Sequence, residues 1–97
     1  MISCSEIHNL YNDLYKEIRK YFWTMPAVEA LADLEVACYK ACPDLVEVKN
    51  CVNNLKLYAR DVILDDEDLK DAFDAFDEIN VDDTVYVKLD KVNEVVQ

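Results

Sequence analysis

The chain has 97 residues, a net charge of -11 and no glycine. The missing glycine excludes phosphate-cradling loops, the dinucleotide fingerprint and tight primed hairpins, so a β-rich fold is not expected. The charge opposes direct binding to nucleic acid or to an anionic membrane and favours basic partners.

A first helix is predicted from about Cys4 to Trp23. Ser3 and Glu6 make an S-x-x-E capping box at its start. Ile7, Leu10, Tyr11, Leu14, Tyr15, Ile18, Tyr21 and Phe22 recur at helical spacing on one broad face. Pro26 ends that helix and opens the next, where its missing N–H costs little. The second helix is expected from Pro26 to Ala41, with Val28, Leu31, Leu34 or Glu35, and Cys38 turned inward. Pro43 closes it. A third helix is expected from Asp44 to Leu64, where Leu45, Val48, Val52, Leu55, Ala59 and Val62 alternate steps of three and four, the seam of helix-on-helix packing. The fourth starts at an acidic cap, Asp65, and runs to about Ile79, with Leu69, Ala72, Phe73, Phe76 and Ile79 as its apolar set. Asn80 to Asp83 reads as a polar turn.

The remainder, Thr84 to Gln97, supports two readings. Val85, Val87 and Leu89 alternate as in a strand, whereas Val85, Leu89, Val92 and Val96 fit a helix. No partner strand is evident, so a helix from about Leu89 is favoured, with a short extended segment at 84–88 left open. Short loops predict antiparallel neighbours. The expected fold is therefore all-α, an antiparallel bundle of four or five helices, with residues 1–97 forming a single helical domain.

The charge is concentrated. Residues 1–60 hold eight acids and seven bases, whereas residues 61–83 hold eleven acids and one base, Lys70, a net of -10. On a helix, Glu67, Asp71, Asp74 and Glu78 form one stripe opposite Leu69, Phe73 and Phe76. Asp65, Asp66 and Asp68 gather at the helix start, where the macrodipole favours anions. Stacked carboxylates repel one another, and the stripe is not interleaved with lysines as a merely soluble helix would be. Asp65, Asp66, Glu67, Asp68, Asp71, Asp74, Asp77 and Glu78 are thus the expected partner-binding residues. Carboxylates one turn apart are spaced by ~5.4 Å along the axis. That is within a factor of two of the charge spacing along a nucleic-acid strand. In broad composition the chain resembles small virus-encoded inhibitors that block nucleic-acid-binding enzymes, and no motif carries that resemblance.

Two further patterns bear on metals. Cys4 and His8 are four apart on the first helix, and Cys38 and Cys42 are four apart at the end of the second. Antiparallel packing would set the two pairs at similar heights, a donor set suited to structural zinc. Helical steps of four equally place small apolar cysteines in a core, and that reading is preferred, with no cofactor expected. Leu69 to Asp77 resembles the helix entering an EF-hand, which would make Asp77 the first calcium ligand. The loop after it departs from the pattern: Ile79 and Val81 fall at ligand positions, Asp82 replaces the turn glycine, and Lys88 stands where the bidentate glutamate belongs.

One histidine, two serines near the start and no glycine leave little for a nucleophile, base and oxyanion site, so no enzyme is expected. The start of the chain lacks the basic region and apolar run of a signal peptide, and no stretch is long and apolar enough to span a bilayer, which predicts a cytoplasmic protein. The leading expectation is a non-enzymatic acidic interaction protein. Its helix at about 65–79 docks on a basic protein, a nucleic-acid-binding enzyme being the expected kind. Two alternatives stand beside it. One is an assembly module, a homo-oligomer included, that packs through the apolar faces of the first and third helices. The other is a small zinc-stabilised helical domain.

Overall fold

The computed structural model describes residues 1–86. It contains α1 (Cys4–Ile18), α2 (Met25–Cys38), α3 (Leu45–Asp65) and α4 (Glu67–Asp77), with two short extended pieces, β1 (Ile2–Ser3) and β2 (Val85–Tyr86). The main helix contacts run round a ring: α1 with α2, α2 with α3, α3 with α4, and α4 back to α1. Cross-chain bonds fix the antiparallel directions. Tyr39, just after α2, donates to Asn12 Oδ1 at 3.0 Å and stacks on His8, both in the first half of the chain's opening helix α1 or just past it. Lys56 of α3 binds Asp77 at the end of α4. Tyr21, just after α1, donates to Asp66, just before α4. The all-α bundle expected from the sequence is the one observed.

Each of α1, α3 and α4 starts at a side chain that takes an orphan N–H. Ser3 Oγ accepts from Glu6 N at 3.1 Å, Asp44 Oδ1 from Val46 N at 2.9 Å, and Asp66 Oδ1 from Leu69 N at 3.1 Å. Asp65 is not the cap expected of it; it is the last residue of α3. Asp66 alone links α3 to α4, in an extended conformation that stops one helix and caps the next.

The core is a single cluster. Ile7, Leu14 and Ile18 from α1 meet Leu34 and Cys38 from α2, Val48, Val52 and Leu55 from α3, and Leu69, Phe73 and Phe76 from α4. Fully burying each large side chain is worth about 1.5–3 kcal/mol. The third and fourth helices follow their predicted seams.

Three further expectations are corrected. First, α1 stops at Ile18 rather than near Trp23. Tyr21 N closes a tight turn on Ile18 O at 3.1 Å, and Trp23 Nε1 donates to the same carbonyl at 2.8 Å. Phe22 is fully exposed and Tyr21 lies at the surface, so neither belongs to the apolar face. Second, α2 ends at Cys38 rather than Ala41, and it turns Ala27, Ala30, Leu34, Ala37 and Cys38 inward while Val28 is exposed. Its residues are apolar on both sides, so periodicity did not single out the inner face. Third, the extended piece at Val85 does find a partner, at the far end of the chain. Ile2 pairs with Val85 and Ser3 with Tyr86 in parallel register, and Ile2 N donates to Thr84 O at 3.0 Å. The helix expected from Leu89 lies outside the described residues. Among the described residues, no helix is long and apolar enough to cross a membrane.

Candidate partner-binding surface

α4 carries the acidic stripe where its spacing places it. Leu69, Phe73 and Phe76 are buried, whereas Glu67, Asp71 and Glu78 are exposed and Asp74 is half-buried on the opposite side. Among the described residues, only Asp74 of these four pairs with a lysine, Lys70 Nζ at 2.9 Å one turn away. Asp65 and Asp68, also exposed, extend the anionic surface past the helix start.

Two of the expected docking residues, half-buried Asp66 and exposed Asp77, also make bonds within the fold. The Asp66 carboxylate accepts from Tyr21 Oη and from the Leu69 backbone. The Tyr21 bond, then the backbone bond, hold Asp66 below the ordinary carboxylate value. Asp77 lies on the flank facing α3, where Lys56 binds its carboxylate. Nearby, Lys49 Nζ donates to the carbonyls of Asp77 and Ile79 at 3.1 and 3.0 Å. A cation thus satisfies carbonyls at the C-terminal end of α4. A lysine thus occupies the Asp77 carboxylate and Lys49 the adjacent carbonyls, at the position the EF-hand likeness gives to the first calcium ligand.

Other acids join the surface from α1. The furrow between α1 and α4 has an apolar floor of Leu10, Ala72 and Ala75, flanked by Asp13 and Glu17 on one side and Asp68 and Asp71 on the other, with Lys16 the only base. It encloses about 440 Å³. A second hollow of about 450 Å³ shares Leu10 and Ala75 and adds Glu6 and Glu78. The sequence signal for the α1 acids is the step of four between Asp13 and Glu17, which acquires meaning only once α1 is known to lie beside α4.

Carboxylate oxygens of Glu17, Asp66 and Asp68 lie within 4.8 Å of one another, the one such grouping of metal-type donors among the described residues. Two of the three are engaged: Glu17 holds Lys20 at 2.7 Å, and Asp66 holds Tyr21. The zinc set Cys4, His8, Cys38 and Cys42 is not assembled. His8 instead lies parallel over Tyr39, with ring centroids 4.1 Å apart. Cys38 is buried, and Cys42 is exposed in the turn after α2. The apolar faces of α1 and α3, the surfaces expected for assembly, are buried in the bundle's own core.

What remains is a dense array of hydrogen-bond acceptors along a helix, suited to lysine and arginine donors. No family model matches the chain, and neither a curated protein nor a solved structure matches it.

Proposed function

We propose that the protein is a non-enzymatic acidic interaction protein, and that α4 docks on a basic surface of a partner where it blocks a nucleic-acid-binding site. The observation that carries this reading is the outward row Glu67, Asp71, Asp74 and Glu78, with one lysine partner among the described residues. Asp13, Glu17 and Asp68 widen the row across the α1–α4 furrow. Such a field raises association rates and makes them salt-sensitive. Its carboxylates repeat at ~5.4 Å per turn, a spacing a phosphate-binding groove accommodates. Asp66 and Asp77, which belong to the same expected set, also brace the helix through Tyr21 and Lys56.

The test is affinity capture from lysate on the wild-type chain and on the variant carrying Glu67→Gln, Asp71→Gln, Asp74→Gln and Glu78→Gln. The expected result is a basic nucleic-acid-binding protein retained by the wild type alone and released by either salt or excess DNA. Circular dichroism should show unchanged helix content in the variant. A partner that the variant still retains would show that the row is not the docking site.

A further inference from the structure

The helix diagonal to α4 carries a surface of a different kind. Met25, Val28, Ala32 and Val36 follow one another at steps of three, four and four. All four are exposed: Met25 by 68%, Val28 by 44% and Val36 by 62%, with Ala32 also in the open. At 3.6 residues per turn they fall within an arc of about 80°, roughly opposite the inward Ala27, Ala30 and Leu34. A bundle helix needs one apolar face; α2 has two, and the outer one has the stepping of a helix–helix seam. From Met25 to Val36 the seam spans ~16 Å, about three turns.

The charges beside the seam select its occupant. Glu29 and Asp33 border it on one side and Glu35 on the other, and no base lies anywhere in Met25–Cys38. A second copy would set these acids against themselves on a molecule already at -11. An anionic membrane would be repelled for the same reason. A helix with an apolar stripe and cationic flanks satisfies both the seam and its borders.

We propose that the outer face of α2 is a docking surface for one amphipathic helix of a partner protein, seated on Met25, Val28, Ala32 and Val36, with lysine or arginine against Glu29, Asp33 and Glu35. This surface is independent of α4, since α2 and α4 lie across the ring from each other.

The probe is a synthetic fourteen-residue helix with leucine at the seam positions and lysine beside them. It is titrated into the chain carrying the four Gln substitutions on α4, so that binding to Glu67, Asp71, Asp74 and Glu78 cannot contribute, and binding to the acids left beside them shows as shifts outside α2. Amide resonances of Met25–Val36 should shift and saturate. Val28→Lys combined with Val36→Lys should weaken binding by about tenfold or more with helix content unchanged, and so should replacing the peptide lysines with glutamates. The proposal is overturned if the shifts fall elsewhere or if the double variant binds equally well. It is equally overturned if light scattering shows a dimer that Val36→Lys dissociates, which would make a second copy the occupant. Because Glu67, Asp71, Asp74 and Glu78 are neutralised throughout and the shifts are read on α2, this result stands or falls apart from the function proposed above.

Discussion

Asp66 is the residue on which two helices turn, and its chemistry makes that measurable. Tyr21 Oη and Leu69 N both donate to its carboxylate, which lowers its proton affinity below the ordinary 3.8. A depressed folded value means the stabilisation is complete above about 4 and disappears as pH falls through the lower folded value. Tyr21 is shifted the other way, above 10.0, by the same bond, so its contribution is present below that value and is lost as pH rises through the raised one. Tyr21→Phe should therefore move the Asp66 carboxyl titration back toward 3.8, read by carbon NMR, and shrink the acid-side loss of stability. An unchanged Asp66 titration would assign the shift to the cap alone. The thiols give a second prediction. Burial, then the neighbouring Cys51, pushes the Cys38 thiol up to about 12, and the thiolate is the reactive form. Alkylation at mild pH should label exposed Cys42 while Cys38 stays unmodified until the chain unfolds, as read by peptide mass spectrometry.

The helices differ in how openly they declare themselves, and α2 is the instructive case. α3 and α4 bury their large side chains at regular helical spacing, although α3 also exposes Val46, Leu57, Tyr58 and Leu64, so their seams were legible from Leu45 to Ala59 and from Leu69 to Phe76. α2 buries Leu34 and Cys38 where the sequence places them, but it also buries Ala27, Ala30 and Ala37 and exposes Val28, so a reading that ranks residues by size misplaces part of its inner face. That part can be checked. Ala30→Leu should cost about 1–3 kcal/mol by overpacking the α2 interior. Val28→Ala, at a position the sequence assigned to the core, should stay within ~0.5 kcal/mol. Urea unfolding measures both, and a larger loss at Val28 would restore the other face as the inner one. The acidic row was legible for the same reason as the seams, because steps of four, three and four need only one helix. The roles of Asp66 and Asp77 were not, since their partners Tyr21 and Lys56 stand 45 and 21 residues away. Asp13 and Glu17 needed the packing of α1 on α4, and β2 needed Ile2 from the opposite end of the chain.

For the molecule as a whole, the same carboxylates oppose folding and serve binding. Nearly all of the -11 lies in residues 61–83, on α4 and the segments beside it. Lys49 and Lys56 of α3 offset part of the repulsion at one end of α4, but Glu67, Asp68, Asp71 and Glu78 have no ion pair among the described residues. Added salt then has two opposed effects. It weakens exposed pairs such as Lys70–Asp74, which are worth little to begin with. It also screens the longer-range repulsion along the row, because the Debye length falls from about 30 Å at 0.01 M to about 3 Å at 1 M. Repulsion among many unpaired acids outweighs a few exposed pairs, so the melting temperature of the wild type should rise between those two salt concentrations. The variant with the four Gln substitutions should start higher and respond less. Binding to a basic partner should move the other way, weakening as salt is added and vanishing in that variant. Thermal unfolding by circular dichroism at two salt concentrations decides the stability half. A wild-type melting point that falls with salt would mean that the lysine pairs outweigh the repulsion, and the row would then be a balanced part of the fold rather than a surface held in readiness for a cationic partner.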